Sequence, residues 1–170
     1  MTEAATKLIA TSDVADALGV NARVEPMRWR RYGGRRAFHG VVATVRCLGA
    51  AGLVRQCVES PGQGRVLIVD AGGQLSAAVL GDRMAGNALS NGWAGIVVHG
   101  AVRDVDALST MEIGVFALGA TPNRGSFELT GEVDVPLTLG SIQLNPGEFV
   151  FCDGDGMVVC GPAAAEKVLA

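Results

Sequence analysis

Aromatic residues are scarce in this chain: phenylalanine, tryptophan and tyrosine together make 5% of 170 residues. The core must therefore be filled by aliphatic and small side chains, and 24 glycines point to close packing and many turns. No run of about 18 apolar residues is present, which excludes a membrane-spanning helix of ordinary length. No N-terminal stretch joins a basic start to an apolar segment with a small-residue cleavage site, so a soluble, cytoplasmic protein is expected. The four cysteines, Cys47, Cys57, Cys152 and Cys160, show no Cys-x-x-Cys spacing. Neither a disulfide framework nor a zinc site is indicated, and buried thiols are the expectation. Strong charge of one sign is also missing, and a net charge of -3 argues against nucleic acid as the main partner. Arg28, Arg30, Arg31, Arg35 and Arg36 nevertheless form a local basic cluster. It reads as a solvated or subunit-contacting surface, with an RNA or acidic-protein contact as the sharper alternative.

The length suits one domain over 1–170, large enough to bury about 70% of its unfolded surface. Thr11-Ser12-Asp13 offer N-caps for a helix through Leu18, with Val14, Ala17 and Leu18 on one face and Gly19 as its stop. Residues 21–36 read as an extended or turning connection. Residues 37–48 carry Val41, Val42, Thr44 and Val45 and predict a buried strand, in which His39 is expected to be hydrogen-bonded rather than a ligand. A short helix over 53–58 precedes Val66-Leu67-Ile68-Val69, whose unbroken apolar run suits a strand covered on both faces. A helical pattern follows over 75–80, is interrupted at Gly81-Asp82, and restarts through Arg83, Met84, Ala88 and Leu89 to stop at Asn91-Gly92. Ile96-Val97-Val98 is a second buried strand, so strand, helix and strand make a right-handed parallel crossover. The rest is β-rich: a strand over 114–118, a loop over 121–125, an edge strand over 133–137, and a hairpin around Asp153-Gly154-Asp155-Gly156 before a short terminal helix. The aspartates of that hairpin lack the loop length and terminal glutamate of a calcium site.

Loops at the carboxyl ends of parallel strands are where such folds present side chains to ligands, and Arg103-Asp104 lies just past the second strand. An adjacent arginine and aspartate can be no more than a surface ion pair, worth about 0–1 kcal/mol. Gly81-Asp82, however, falls at a helix start, where free amides attract anions such as the carboxylate of a small substrate. Asp82 is a poor neighbour for an anion unless a cation stands between them. A divalent metal resolves the conflict, since hard oxygen ligands such as Asp104, with water held by Asp82, suit magnesium or manganese. His99 adjoins this region but ends an apolar run, and a structural role is expected of it.

Asp82, then twenty residues, then Arg103-Asp104 is an Asp-x20-Arg-Asp pattern, set among Asn91-Gly92-Trp93-Ala94-Gly95-Ile96 and Gly100-Ala101-Val102-Arg103-Asp104-Val105-Asp106. In these segments, and more loosely from Thr11 onward, the chain resembles the family of regulator of ribonuclease activity A and the metal-dependent 4-hydroxy-4-methyl-2-oxoglutarate aldolases. The resemblance implies an α/β fold, a single-domain α/β/β sandwich of the swivelling, phosphohistidine-like type, assembled as a homotrimer with sites at subunit clefts. It implies Asp104 as ligand to a divalent metal, Mg2+ or Mn2+, and Arg103 as the contact to the substrate carboxylate and to the oxygen that becomes an enolate. The main chain of Gly81, Asp82, Arg83 and Met84 would cradle the pyruvyl group of a small 2-oxo acid, and Asp82 would orient water on the metal. The implied reaction cleaves 4-hydroxy-4-methyl-2-oxoglutarate to two pyruvates. Its difficult species is the pyruvate enolate, whose charge a cation and Arg103 can hold, and oxaloacetate decarboxylation through the same enolate is the expected side activity. Water on the metal is the candidate base for the 4-hydroxyl proton, because no histidine stands in the motif.

The aldolases resembled have longer C-terminal regions that add an acidic residue to a neighbouring subunit's site, whereas Ala170 follows soon after the last hairpin. A more weakly held metal or a different physiological substrate is the expectation. The family's first name implies a second class of function, a non-catalytic trimer that binds a ribonuclease E type partner. A methyltransferase of menaquinone synthesis, a third label attached to relatives, is disfavoured, because Asp70-Ala71-Gly72-Gly73 lacks the spaced glycine loop of a nucleotide-like cofactor site.

Overall fold

The computed structural model describes residues 8–26 and 28–170. Helix α1 (Thr11–Leu18) buries Thr11, Val14 and Leu18 and leaves Ala17 exposed. Its N-cap is Ala10, not one of the three polar residues that follow. Thr11 instead donates its amide and its hydroxyl to Asp153, at 2.7 Å each, so a carboxylate from a distant hairpin caps the helix. The connection expected over 21–36 contains two two-residue strands, β1 (Arg23–Val24) and β2 (Arg30–Arg31), too short and polar for apolar periodicity to reveal.

Strands β3 (Phe38–Arg46), β4 (Val66–Asp70), β5 (Gly95–Val102) and β6 (Gly114–Ala120) run parallel to one another in that order. Helix α2 (Gly52–Glu59) joins the first pair, α3 (Asp82–Ser90) the second, and the single turn α4 (Val105–Leu108) lies between β5 and β6. These are the crossovers that unbroken apolar strands require. Helix α3 stops where expected: Gly92 has φ +80°, its amide donates to Leu89 O, and the Trp93 amide donates to Ala88 O, which satisfies two of the last carbonyls.

Residues 75–80 are not helical, contrary to expectation. Ala78, Val79 and Leu80 are each at most 2% exposed, and three successive buried side chains need cover on both sides, which an extended segment finds and one turn of a surface helix does not. Ala78 bridges both Ala101 and Arg124, the Val79 amide donates to Ala101 O at 3.1 Å, and Leu80 O accepts the Arg103 amide at 3.0 Å. Helix formation waits until Asp82.

The single edge strand expected over 133–137 is two elements. β7 (Glu132–Val133) pairs with the end of β3, while β8 (Leu137–Leu139) forms a separate hairpin with β9 (Ile142–Leu144). Pro136 has no amide to donate and divides them. β10 (Phe149–Asp153) and β11 (Gly156–Cys160) form the expected hairpin, and α5 (Pro162–Leu169) follows. The main sheet runs β1-β11-β10-β3-β4-β5-β6-β2. Helices α2, α3 and α4 cover one face of its parallel part through Val54, Val58, Met84, Ala85, Ala88 and Leu108. The β8–β9 hairpin covers the other face through Leu137, Leu139, Ile142 and Leu144, and α1 and α5 close over β10 and β11. The result is the α/β/β arrangement that the family resemblance implied.

Among the described residues no helix is long and apolar enough to cross a membrane. His39 makes no side-chain hydrogen bond among the described residues; its half-buried ring lies 5.8 and 5.5 Å from those of Phe149 and Phe151, and burial lowers its pKa. All four cysteines are free thiols, and burial, helped by the nearby Asp70, pushes Cys47 up to about 12.

Candidate active site

Arg103 and Asp104 follow directly on β5, at the carboxyl edge of the parallel strands. The Arg103 amide is held by Leu80 O, which ties the strand end to the chain leading into α3. Asp104 then adopts a left-handed backbone, φ 59° and ψ 41°, a conformation that aspartate tolerates at a cost of about 1–2 kcal/mol. The resulting turn aims its carboxylate at the start of α3, where Oδ2 accepts the Asp82 amide at 3.1 Å. Gly81, one residue earlier, has ordinary extended backbone with φ -137°, yet a Cβ there would lie 2.6 Å from Asp104 Oδ2 and 3.3 Å from Arg103 Cγ. Glycine is needed here for the close approach of those side chains, not for its dihedrals.

Arg103 Nε stands 3.8 Å from Asp104 Oδ2, beyond hydrogen-bonding distance, and both side chains are more than a third exposed. The pair is loose, which leaves the guanidinium fork open to a ligand carboxylate. Asp82 Oδ1 accepts the Arg83 amide at 2.7 Å. Of the four amides expected to cradle a pyruvyl group, those of Asp82 and Arg83 thus already have carboxylate acceptors. Those of Gly81 and Met84 take no protein acceptor among the described residues.

Gly81, Asp82, Arg83, Met84, Arg103 and Asp104 all line one cavity of about 470 Å³. The structure therefore brings every sequence-predicted site residue together. His99 stands apart: its Nδ1 lies 3.3 Å from Asp70 Oδ1, and its ring is not on the cavity wall. Among the described residues no three histidine, cysteine or acidic side chains gather into a metal cage. The acidic donors lining the cavity are Asp82 and Asp104, hard oxygens in the small number that suits a magnesium-like cation retaining most of its water.

Sequence reasoning missed Arg55, Arg124 and Phe127 on the same cavity wall. Both guanidinium carbons lie over the Phe127 ring, at 4.4 Å for Arg55 and 4.6 Å for Arg124. With Arg83 and Arg103 they set four guanidiniums against two carboxylates, a local positive excess in a chain of net charge -3. A signal for Arg124 existed, because it stands in the loop after β6, where the rule that singled out Arg103 applies equally. Arg55 offered none, since a surface arginine on a helix reads the same whatever cavity it overhangs.

A family model described as RraA-like, aldolase/RraA, matches residues 11–159. The chain belongs to the RraA-like family. It is similar to a protein of Aromatoleum aromaticum provisionally named 4-hydroxy-4-methyl-2-oxoglutarate aldolase, 42% identical over 88% of this chain and 94% of that one. Among solved structures, the RNA-processing inhibitor RraA from a Thermus species is 43% identical with a TM-score of 0.86, over 89% of this chain and 92% of that one. A Geobacillus kaustophilus protein described as an S-adenosylmethionine:2-dimethylmenaquinone methyltransferase is 38% identical with a TM-score of 0.88, over 90% and 95%. The RraA-like family thus joins aldolase and regulator names on one fold, and the fold by itself does not choose between them.

Proposed function

We propose that this RraA-like protein is a divalent-metal-dependent lyase that cleaves 4-hydroxy-4-methyl-2-oxoglutarate to two pyruvates and decarboxylates oxaloacetate through the same pyruvate enolate. The observation that carries this reading is the convergence of Arg103, Asp104 and the start of α3 on one cavity, with Arg103 only loosely paired. Asp104, with Asp82 beside it, would hold Mg2+ or Mn2+, and the bound cation supplies positive charge beside the developing enolate oxygen. Arg103 takes the substrate C1 carboxylate and the 2-oxo oxygen: its fork matches paired oxygens, and its charge interacts more strongly with an enolate than with a ketone. The amides of Gly81 and Met84 are the remaining donors for that end of the substrate. When the C3–C4 bond breaks, its electrons pass into the enolate and the 4-hydroxyl proton must leave. Asp82 orients the water that accepts it, and C3 of the enolate is protonated to complete the second pyruvate.

The test is pyruvate release from both substrates with magnesium or manganese and then with chelator, for the wild type, Arg103→Ala and Asp104→Ala. Turnover should require metal, fall about 10²–10³-fold in Arg103→Ala, and be lost in Asp104→Ala. Release by the wild type no faster than the metal-only background would remove both substrates. A second reading, binding of a ribonuclease E type partner, is favoured by the 43% identity to an RNA-processing inhibitor and by the exposure of Arg28, Arg30, Arg31, Arg35 and Arg36. Capture of that partner by the wild type but not by a variant neutralised at those five arginines would support it; no capture by either would discard it. Both readings include a homotrimer, which light scattering in solution checks.

A further inference from the structure

We infer that Arg55 and Arg124, gathered on the ring of Phe127, form a second anion subsite that takes the distal carboxylate of a dicarboxylic 2-oxo acid. The inference rests on the proposed reading of Arg103 and the α3 start as the place of the C1 carboxylate and 2-oxo group. Both guanidinium carbons lie within 4.6 Å of one ring centroid, so they are at most about 9 Å apart, and both residues line the cavity that an anion would enter. Neither arginine forms an ion pair among the described residues. Two like charges brought to one ring repel each other, and contact with the ring offsets this only weakly at an exposed site. An arriving anion is the partner that the arrangement lacks.

The cluster is also held in place before any ligand arrives. The segment carrying Arg124 is clamped on Ala78, whose amide donates to Asn123 O at 2.7 Å and whose carbonyl accepts the Gly125 amide at 2.8 Å. Its continuation is stitched to the start of α2 by the Ala51 amide, which donates to Ser126 O at 2.6 Å. There the backbones approach so closely that a Cβ on Gly52 would lie 2.6 Å from Phe127 O and closer still to Glu128 O. The backbones that carry Arg55 on α2 and Arg124 and Phe127 in the loop after β6 are therefore fixed relative to each other, which lowers the cost of assembling the site around a ligand. Both ends of the proposed substrate then fall within one cavity of about 470 Å³, inside the usual range of roughly 300–1,000 Å³ for small-molecule sites. Dicarboxylic 2-oxo acids should bind in preference to monocarboxylic ones of equal length.

Calorimetric titration with 2-oxoglutarate and with 2-oxopentanoate, which differ in the distal carboxylate and carry no hydroxyl to cleave, tests this without turnover. The wild type should prefer 2-oxoglutarate by roughly tenfold to a hundredfold, the range for hydrogen bonds to charged groups. The double variant Arg55→Gln, Arg124→Gln should bring the ratio close to one, and Arg55→Lys, Arg124→Lys should restore part of it. Melting curves establish that each variant is folded. A wild-type ratio near one, or an undiminished ratio in the glutamine variant, overturns the subsite. A ratio that collapses in the glutamine variant of a protein releasing no pyruvate supports the subsite and removes the aldolase reading; turnover by a wild type with a ratio near one does the reverse.

Discussion

Gly81→Ala separates the geometry of the candidate site from the stability of the fold. The new Cβ would stand 2.6 Å from Asp104 Oδ2, whereas ordinary contact begins near 3.4 Å, so the carboxylate must retreat by about 0.8 Å. Arg103 Cγ, at 3.3 Å, must give by a tenth or so. The clashing carboxylate oxygen is the end of a side chain that can turn away, and the backbone at φ -137° accepts alanine without strain. Folding stability should therefore change by no more than about 1 kcal/mol, with the lower unfolded-state entropy of alanine offsetting the displaced contact. Catalysis is less tolerant, because a misplacement near 1 Å can cost about 10²-fold in rate. Gly86→Ala in the same helix is the control: a Cβ there meets nothing within 4 Å, and alanine should add about 0.5–1 kcal/mol at a helical position. Urea titrations and metal-dependent pyruvate release, measured on both variants, give the comparison. Full activity in Gly81→Ala would refute the claim that the Asp104 carboxylate works from the position in which it caps α3.

Gly114→Ala should act on stability instead, because its Cβ would sit 2.0 Å from the Phe38 ring. A loss of about 1–3 kcal/mol in urea titration is expected, partly relieved by adding Phe38→Leu, and no loss would mean the ring is not seated there. Asp153→Ala removes the acceptor of both Thr11 donors and should cost about 1–2 kcal/mol at neutral pH. Burial pushes the Asp153 carboxyl up, but its hydrogen bonds from Thr11, Asp155 and Gly156 outweigh that and leave its pKa below the usual value. A folded-state pKa below the unfolded one adds stability that is complete above about pH 4 and is lost as pH falls through the folded value. The melting curves of wild type and Asp153→Ala should thus converge in acid, and a gap that stays constant would refute the assignment. Native Cys47, with its thiol pushed up to about 12, should resist alkylation at pH 8 and react once the chain is unfolded.

What the sequence made legible was whatever has a period or a punctuation mark. The strands over 66–69 and 96–98 announce themselves by unbroken apolar runs, and the end of α3 by Asn91-Gly92. Residues 75–80 misled because Leu75, Val79 and Leu80 have helix-like spacing, while the hydrogen bonds that draw the segment out straight come from Ala101, Arg103, Asn123 and Gly125, all more than twenty residues away. The β8–β9 hairpin was lost for a similar reason. Its three-residue strands are shorter than any periodicity can register, and Val133, Val135 and Leu137 imitate a single alternating strand across Pro136.

The candidate site divided along the same line. Its chemical centre was legible because Gly81-Asp82 and Arg103-Asp104 each lie at an element boundary that local sequence can mark. The far wall was not, because Arg55 and Phe127 are brought together by backbone contacts at Gly52 and Ala51 that no local pattern records. The division also bears on how Asp104 can serve more than one task. Its Oδ2 takes the Asp82 amide and the nearer approach of Arg103, while Oδ1 has no protein partner among the described residues. One oxygen therefore fixes the carboxylate to the start of α3 and the other faces no protein donor, so capping the helix and the proposed binding of a cation need not compete. That economy depends on the left-handed turn at Asp104 and the missing side chain at Gly81. A backbone strain of about 1–2 kcal/mol at that position is intelligible as the cost of holding one carboxylate against two elements at once.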